Sequence, residues 1–482
     1  MFRNILIYGL GISGIDAAKF LIKNGYEVLL TDDNENALKV ARDKIGSDVL
    51  QNATKSVKFL ESNEIEGEIS DKTGVIFSPG IPLYFPKKHK ILEIVEQKKA
   101  QIFCDIELFY LFTNAAGRDF VGITGTNGKS TSSALVDFIF TEINEKSYLA
   151  GNIGIPVFEL MQKQNFANKD AKAKMVLEMS SYQLDLINKT HFNVAALTNI
   201  TPDHIDRHGS FANYVALKKK IFQNQKEGDF AVINVDDESA REVFDELNRD
   251  KNFKANLVAV SAKKIQENGV FVIDGVLHNK IAGNDMKFDL KGAILKGEHN
   301  MQNAALAFAC VFCALKKDGF LGEEKSREIV DAILKFKGLR HRMQFLGNVD
   351  GVNFVNDSKA TNAESTQKAL QSYNNIFWIL GGKAKDGGIE ALKPYFSKVI
   401  KSYLIGEASD EFAKFLEKNA VKYEKCINLE NAFKKAYFDA KNSDLKERNI
   451  LLSPSCASFD QWKNFEERGD YFCKLFDEID KN

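Results

Sequence analysis

Short apolar runs recur along the chain and alternate with longer segments in which the apolar residues have helical spacing. The runs that predict buried strands are Ile5–Tyr8, Glu27–Leu30, Gly74–Phe77, Phe120–Thr124, Met175–Glu178, Val194–Leu197, Phe230–Asn234, Ile376–Leu380 and Asn449–Leu452. Strands that alternate with helices are typical of βαβ units, which form parallel sheets. The pattern therefore predicts an α/β protein of three domains, each with a mainly parallel sheet, over residues 1–103, 104–338 and 339–482.

Composition and charge exclude several classes of protein. Of the 482 residues, 44% are hydrophobic and 27% are charged, which is the balance of a soluble globular chain. Lys and Arg total 65 against 66 Asp and Glu, so the net charge of -1 provides no general attraction to nucleic acid or to an anionic membrane. The apolar run Ala304–Leu315 is shorter than the ~20 residues of a spanning helix, and the N-terminus lacks the pattern of a signal peptide. We expect a cytoplasmic protein, and a monomer because no segment has the pattern of an interaction helix.

Cys310 and Cys313 form a C-x-x-C pair, a spacing that occurs in redox and zinc sites. They lie within the apolar run Ala304–Leu315, and no second pair of ligands is nearby in the sequence. We interpret them as buried structural thiols.

The first candidate site is a turn with three glycines, Gly9, Gly11 and Gly14, in the G-x-G-x-x-G spacing. It follows a predicted strand, precedes a predicted helix, and is followed by Asp32 at the end of the next strand. Three interpretations remain open from these residues. The turn binds NAD or FAD, it binds another nucleotide that bears a diphosphate, or it is a tight turn without a ligand.

A second glycine turn predicts ATP chemistry. The residues that connect the strand Phe120–Thr124 to a predicted helix are Gly125, Thr126, Asn127, Gly128, Lys129, Ser130 and Thr131. Backbone amides in such a turn bind phosphate oxygens, Lys129 can neutralise the β- and γ-phosphates, and Ser130 can bind Mg²⁺. Ile123 stands where the strict Walker spacing has a glycine, so the motif is a shorter variant of the P-loop.

Glu178 and His204 are candidate metal ligands. Glu178 ends the strand Met175–Glu178, and ligands bind at the carboxyl ends of strands in such sheets. His204 and His208 have the i, i+4 spacing of a helical metal pair, but no Glu follows His204 as in zinc proteases. Because a phosphate site calls for oxygen-rich Mg²⁺ coordination, we interpret His204 as a Mg²⁺ ligand or its neighbour and His208 as a surface or structural residue.

Lys218 has an unexpected position on its predicted helix. It shares one helical face with apolar residues such as Tyr214 and Phe222, while Lys219 and Lys220 can reach solvent. Either the Lys218 stem packs and its amine reaches the surface, or its charge is paired or altered near the metal site. The periodicity favours neither interpretation.

Together these segments resemble the Mur ligases, the ATP-dependent enzymes that build the peptide stem of peptidoglycan. The central segments that carry the resemblance are Gly125–Thr131, Asn152, Glu178, His204 and Gly297–Asn303. The segments that resemble the branch adding D-glutamate are Gly9–Gly14, Ser78–Ile81, Asn356–Asn362, Leu380–Lys385 and Leu452–Gly469. The resemblance implies a Rossmann-like first domain that binds a uridine nucleotide rather than NAD, a central ATPase domain of the P-loop type, and a Rossmann-like third domain.

The resemblance also implies a reaction, in which D-glutamate is joined to UDP-N-acetylmuramoyl-L-alanine through an acyl phosphate made from ATP. The residues that it implies for the UDP substrate are Ser13, Asp32, Asp33, Ser78, Gly80 and Asn152. Those for ATP are the second glycine turn with Asn300, Asn303, Arg342 and Asp357, and those for D-glutamate are Thr361, Lys385, Ser458 and Phe465. The implied catalytic residues are Lys129, Glu178, His204, Lys218 and Lys359.

For Lys218 the resemblance implies a carbamate, N6-carboxylysine, beside Mg²⁺. The implied metal ligands are Ser130, Glu178, His204 and the carbamylated Lys218. The sequence departs from the pattern of the D-glutamate-adding branch at Lys383, where an Asp is common, and at Asp33, where others have a hydroxyl residue.

Three other classes of protein share part of the pattern. A folate-type polyglutamate ligase would have the central phosphate loop but would not need the first glycine turn. An NAD-dependent oxidoreductase would use the first glycine turn but would have no function for the second. A mechanical or regulatory P-loop ATPase would have the strict Walker spacing.

Overall fold

The computed structural model describes residues 2–78, 81–113, 118–162, 173–283, 285–294, 297–317, 319, 322–384 and 388–479. The chain divides into two compact units, of which one comprises Met1–Gly292 and Glu298–Leu334 and the other Ala293–Gly297 and Lys335–Asn482. The first unit contains two of the described sheets and the second unit contains one. Residue 103, a predicted domain boundary, lies inside the first unit, and residue 338 lies just after the start of the main segment of the second.

The first sheet is parallel throughout. Its strands are β1 (Asn4–Tyr8), β2 (Glu27–Thr31), β3 (Val57–Phe59), β4 (Thr73–Phe77) and β5 (Gln101–Phe103). The helices of this region are α1 (Ile12–Lys23), α2 (Glu35–Ile45), α3 (Ser47–Gln51), α4 (Lys90–Lys98) and α5 (Asp105–Thr113). The strand order is β3-β2-β1-β4-β5, so the winding reverses between β1 and β4. Such a reversal opens a crevice at the carboxyl ends of the two strands.

The second sheet is the largest. Its strands are β6 (Asp119–Thr124), β7 (Ser147–Gly151), β8 (Lys174–Glu178), β9 (Val194–Leu197), β10 (Phe230–Asn234), β11 (Asn256–Ser261), β12 (Gly269–Ile273), β13 (Val276–Asn279) and β14 (Met286–Asp289). The helices are α6 (Lys129–Glu142), α7 (Val157–Gln162), α8 (Ser181–Asp185), α9 (Ile205–His208), α10 (Phe211–Lys219), α11 (Glu238–Arg249), α12 (Glu298–Lys317) and α13 (Glu323–Lys335). The order is β14-β13-β12-β11-β10-β9-β6-β8-β7, with antiparallel pairing only where β13 meets β12 and β14 among the described strands. The strand β6 therefore lies between β9 and β8, inside the parallel part of the sheet.

The third sheet belongs to the second unit. Its strands are β15 (Gln344–Val349), β16 (Val352–Asn356), β17 (Ile376–Gly381), β18 (Val399–Ile405), β19 (Tyr423–Lys425) and β20 (Arg448–Leu452). The helices are α14 (Ala363–Ser372), α15 (Ser409–Lys418), α16 (Leu429–Lys441) and α17 (Phe465–Ile479). The order is β15-β16-β20-β17-β18-β19, and of the described pairs only β15 with β16 is antiparallel. Alternate residues of β17 enter different cores, Phe377 and Ile379 on one face and Trp378 and Leu380 on the other, because side chains alternate along a strand.

Most of the predicted architecture is confirmed. The predicted strands are present, and each of the three sheets is mainly parallel. Cys310 and Cys313 are buried free thiols within α12, as their apolar surroundings predict. In the part of the chain that the structure describes, no helix combines the length and the apolarity that crossing a bilayer requires.

Candidate active site

The turn between β6 and α6 has the geometry of a phosphate-binding loop. Gly128 caps the helix with φ of 83°, in the left-handed region, and a Cβ at this position would lie 2.7 Å from Asn303 Oδ1. Glycine is therefore required both by the backbone and by the close neighbour. Lys129 Nζ donates to the carbonyl oxygens of Gly125 and Thr126, each at 2.7 Å. Since the first amides of a helix lack partners within the helix, the start of α6 offers donors to an anion.

Glu178 and Lys218 are two buried ionisable groups beside this turn. Both side chains belong to residues that are 1% exposed. Glu178 Oε1 accepts a hydrogen bond from Asn152 Nδ2 at 2.8 Å, whereas Oε2 is buried without a hydrogen-bond partner. Lys218 Nζ donates to the Gly125 carbonyl at 2.7 Å. Burial, followed by repulsion from Lys129, lowers the pKa of Lys218 to about 6, so its amine is mostly neutral at pH 7.

A column of aromatic rings links His204 to Lys218. His204 is about half exposed and its ring centroid lies 5.2 Å from that of Tyr182. The ring centroids of Tyr182 and His208 are 5.4 Å apart, and those of His208 and Tyr214 are 5.5 Å apart. Lys218 Nζ lies 4.6 Å from the centroid of the Tyr214 ring. We call Tyr182, His208 and Tyr214 the ring column. His208 is buried within it, and burial lowers its pKa to about 4, so that of the surface or structural position predicted for it the structure shows the buried one.

The donor set beside the phosphate loop suits a hard cation. Glu178 Oε2 is an oxygen acceptor that the protein itself leaves unused, and Ser130, the second residue of α6, is a buried hydroxyl residue. Oxygen donors are those that Mg²⁺ prefers. Among the described residues, no group of three His, Cys, Asp or Glu side chains is arranged as a metal cluster. Glu178 and Ser130 offer two oxygen ligands of the kind that a divalent ion takes.

A cleft of about 420 Å³ lies at the carboxyl ends of β1 and β4, and Asp32 and Ser78 are among its lining residues. The Asp32 carboxylate fixes the backbone at the edge of this cleft. Its Oδ2 accepts a hydrogen bond from the Leu10 amide at 2.7 Å, and its Oδ1 accepts one from the Asn34 amide at 2.9 Å. Ser13 lies exposed in the first turn of α1. The cleft thus combines a helix N-terminus with the crevice that the strand order creates.

Asp33 lines the same cleft, and two hydrogen-bond donors orient its carboxylate. Tyr8 Oη donates to Asp33 Oδ1 at 2.5 Å, and His89 Nε2 lies 3.2 Å from Oδ2. His89 Nδ1 accepts the Ile91 amide at the start of α4, so the proton of a neutral His89 is on Nε2 and points to Asp33. Asp33 therefore presents a carboxylate of defined orientation to the cleft.

In the second unit the candidates gather at the carboxyl ends of β16 and β20. Asp357 follows β16 and is 3% exposed, and its carboxylate accepts from the Met343 amide at 3.0 Å and from Ser453 Oγ at 2.7 Å. Burial raises the pKa of Asp357 to about 7, opposed first by the Ser453 hydrogen bond and also by the charge of Arg342. A carboxyl with a pKa near neutrality is typical of a functional site.

Lys359 and the D-glutamate candidates lie close to the same strand ends. Lys359 Nζ is 5.5 Å from the Phe465 ring, and the Thr361 amide donates to the Lys359 carbonyl at 2.8 Å. The Phe465 carbonyl accepts from Ser358 Oγ at 2.8 Å. Ser458 is 2% exposed. These contacts bring Lys359, Thr361 and Phe465 together within the second unit, and Ser458 is buried in the segment after β20.

Comparison with known proteins places the chain in a family. Residues 123–311 match the Mur ligase middle domain, and residues 341–456 match the glutamate ligase domain of Mur ligases. The UDP-N-acetylmuramoylalanine–D-glutamate ligase of Rickettsia prowazekii (strain Madrid E) is 38% identical over 474 residues, which cover 98% of this chain and 97% of that protein. The chain belongs to the Mur ligase family. The ligase of the same name from Rickettsia felis is 40% identical over 474 residues, covering 98% of this chain and 96% of the relative.

A solved Mur ligase has the same fold at low sequence identity. The UDP-N-acetylmuramate–alanine ligase of Thermotoga maritima matches with a TM-score of 0.54 at 14% identity, and the match covers 99% of each chain. At this identity the likeness concerns the fold alone. It agrees with the succession of α/β sheets described above.

The structure locates most of the residues that the Mur ligase resemblance implies. In the first unit, Asn152, Glu178 and Lys218 surround the phosphate loop, and Asn300 and Asn303 are buried on α12 beside it. His204 lies at the far end of the ring column. Gly80 and Lys385 are outside the described residues.

Several side chains of this site have no motif of their own in the sequence. Tyr8 and His89 orient Asp33, and Asn199 braces the phosphate loop, because its Oδ1 accepts the Asn127 amide at 2.8 Å and its Nδ2 donates to the Asn127 carbonyl at 2.9 Å. Asn199 follows the end of β9, the neighbour of β6, so the rule that ligands bind at strand ends could have identified it. Tyr8 and His89 are brought to Asp33 only by tertiary packing.

Proposed function

We propose that this chain joins D-glutamate to UDP-N-acetylmuramoyl-L-alanine with consumption of ATP. The observation that carries the proposal is the near full-length identity of 36–40% to relatives that bear the name of this ligase. The alanyl carboxylate attacks the γ-phosphorus of ATP and ADP leaves, which gives an acyl phosphate. The amine of D-glutamate attacks the acyl carbon, loses a proton, and displaces inorganic phosphate, which leaves an amide.

The phosphate loop supplies the positioning for the first step. The amides at the start of α6 and the Lys129 ammonium bind the phosphates of ATP, and Asn300 and Asn303 lie beside adenine. Lys129 gives up its contacts to the Gly125 and Thr126 carbonyls when phosphate oxygens offer a stronger acceptor. Since both reactants are anions, neutralising their charges is the main task of the site.

The metal assignment rests on Glu178 and Lys218. The unused Glu178 Oε2 and Ser130 would hold Mg²⁺ at the phosphate loop, and His204, at the other end of the ring column from Lys218, would contribute to a metal site from that side. A neutral amine can take up carbon dioxide, and the lowered pKa of Lys218 favours the neutral form, so N6-carboxylysine at this position would supply a further anionic oxygen ligand. The ion would draw charge from the γ-phosphate and the attacking carboxylate.

We assign the two remaining substrates, the uridine nucleotide and D-glutamate, to the carboxyl ends of strands in the first and third sheets. In the first unit, Ser13, Asp32, Asp33, Ser78 and Gly80 bind the uridine diphosphate, and Asn152 contacts the sugar-peptide side. In the second unit, Arg342 and Asp357 bind ATP, Lys359 neutralises the transferred phosphoryl group, and the residues for D-glutamate are Thr361, Lys385, Ser458 and Phe465. We assign residues 1–103, 104–338 and 339–482 to these three tasks.

The enzyme works as a monomer in the cytoplasm, where ATP and nucleotide-activated sugars are available. Phosphate release from ATP tests the function directly, with purified protein, Mg²⁺, UDP-N-acetylmuramoyl-L-alanine and a panel of amino acids. We expect phosphate release with D-glutamate and little or none with L-glutamate, L-lysine and L-alanine. Turnover with another amino acid would contradict the D-glutamate assignment, and its absence with all of them would contradict the reaction.

A further inference from the structure

Arg207 connects two elements that are far apart in the sequence. It belongs to α9, the short helix that begins directly after His204, and its guanidinium donates a hydrogen bond to the backbone carbonyl of Ile81. Ile81 lies in the segment after β4, 126 positions away. The contact therefore joins the ligand edge of the first sheet to the ligand edge of the second.

Ile81 is part of the wall of the cleft that we assign to uridine diphosphate. It lines this cleft together with Gly9 and Ser78. The wall is closely packed, because a Cβ on Gly9 would lie 2.9 Å from Ile81 Cδ1 and 2.4 Å from Ser78 Cβ. A displacement of Ile81 would consequently displace the glycine turn that faces the diphosphate.

On its other side, Arg207 contacts the ring column. Its Cζ lies 4.7 Å from the centroid of the Tyr182 ring, a distance at which a guanidinium is attracted by the ring face. Burial lowers the pKa of Arg207, whereas Tyr182, Asp185 and Asp206 raise it, and a guanidinium stays protonated at neutral pH. The ring column continues to Lys218, so Arg207 lies between the uridine cleft and the metal side of the phosphate loop.

A second contact holds the same helix. Gly209 ends α9 with φ of 77°, and a Cβ there would lie 2.6 Å from Phe85 Cζ. Phe85 belongs to the same segment after β4 as Ile81. One polar and one apolar contact thus fix α9 against residues 81–85.

We propose that Arg207 is a positioning residue that sets the distance between the uridine cleft and the phosphate loop. This inference rests on the proposed function, in which the substrate binds through its uridine diphosphate at one site and reacts through its alanyl carboxylate at the other. Binding energy from the remote nucleotide aligns the carboxylate with the γ-phosphate only if the two sites keep a defined separation. Arg207 maintains that separation without touching the reacting atoms.

The test compares two substrates on the full-length enzyme, UDP-N-acetylmuramoyl-L-alanine and N-acetylmuramoyl-L-alanine without the nucleotide. We expect Arg207→Ala to lower kcat/KM for the complete substrate by ~10–100-fold, which is the loss of rate that a small misplacement of a reacting group causes. Turnover of the truncated substrate and the affinity for UDP alone, measured by calorimetry, are expected to stay at wild-type values. Arg207→Lys keeps the charge but lacks the planar fork, so it should recover only part of the loss.

Two further variants keep the test decisive. Arg249→Ala on α11, where the side chain is exposed, is the matched control and should leave both substrates unaffected. If Arg207→Ala does not fold, Phe85→Ala removes the second contact of α9 from a residue that is 39% exposed, and it should lower turnover of the complete substrate selectively.

Two outcomes would contradict the inference, and a third would contradict the proposed function on which it rests. Equal losses with the complete and truncated substrates would indicate general damage to the enzyme. A loss of UDP affinity as large as the loss of turnover would show that Arg207 only supports the cleft. Absence of turnover by the wild-type enzyme would contradict the proposed function itself, which separates that failure from a failure of the positioning role.

Discussion

Asp357 and Lys218 are ionisable residues whose buried surroundings disfavour the charged form of the side chain. Asp357 is almost fully buried, and two hydrogen bonds to its carboxylate do not offset the desolvation that raises its pKa to about 7. Lys218 is the opposite case, an amine that burial keeps mostly neutral. Such groups reduce stability, and the position of Asp357 at a strand end and of Lys218 beside the phosphate loop is consistent with a function in binding ATP and a metal ion.

We predict that Asp357→Asn stabilises the protein in a pH-dependent way. The pKa is 3.8 for a free Asp and about 7 in the folded protein. Between these values the folded state binds more protons than the unfolded state, so the free energy of unfolding of the wild type falls as pH rises. The variant lacks this titration, and its amide can still accept from Met343.

Thermal unfolding at pH 4, 5, 6, 7 and 8 measures this effect. The difference between variant and wild type should grow from pH 4 to pH 7 in favour of Asp357→Asn and stay constant above that. A difference that is independent of pH would mean that the folded and unfolded pKa of Asp357 are the same.

At the scale of elements, the helix α10 decides which of three successive lysines enters the site. The helix spans Phe211–Lys219 and tightens into a 3-10 turn over Lys220–Phe222. Lys218 is 1% exposed, whereas Lys219 extends to an ion pair with Glu246 at 2.7 Å on the surface. The inward direction of Lys218 that the helical spacing predicts is confirmed, and the snorkelling interpretation is wrong because the amine is buried with its stem.

We predict that Lys218→Met and Lys219→Met have opposite consequences for activity. Methionine fills the volume of the buried lysine without an amine, so Lys218→Met should fold and lose at least ~100-fold in kcat, the scale of losing one electrostatic stabiliser. Lys219→Met removes only a surface ion pair of small energetic value and should keep its activity.

Phosphate release with D-glutamate measures both rates, and circular dichroism checks that both variants fold. Added bicarbonate should raise the activity of the wild type if the carbamate is incomplete, and should not restore Lys218→Met. Full activity of Lys218→Met would remove this residue from the metal site.

At the scale of the whole molecule, the two compact units have separate hydrophobic cores. One core contains Leu6 of the first sheet, Phe120 of the second sheet and Phe109 of α5, and two others lie on the faces of the third sheet. Multi-domain chains with separate cores do not unfold in one step. The substrates are also divided, since the uridine cleft belongs entirely to the first unit.

We predict two calorimetric transitions, of which UDP shifts only one. A ligand that binds the folded state at 100 times its Kd raises the free energy of unfolding by about 2.7 kcal/mol. UDP should therefore raise the Tm of the first unit and leave that of the second unchanged. A single transition, or equal shifts of both, would show that the units unfold as one.

Local patterns predicted much of this molecule. The strands Val194–Leu197 and Phe230–Asn234 were predicted at the residues where they occur, because a strand buried on both faces must be apolar throughout. The glycine turns were visible as well, since Gly128 occupies a backbone conformation that other residues avoid. The contacts of Arg207, Tyr8 and His89 were not predictable, because none of them lies in a motif and each partner is distant in the chain.

The sequence by itself determined the strands, the two glycine turns, the buried thiols and the direction of Lys218, because all of these depend on spacing within one element. Only the tertiary structure decided that Glu178 keeps an unused oxygen, that the ring column joins His204 to Lys218, and that Arg207 bridges the two ligand edges. The physical reason is that burial and charge are set by neighbours from several elements. Those neighbours become adjacent only when the sheets have packed.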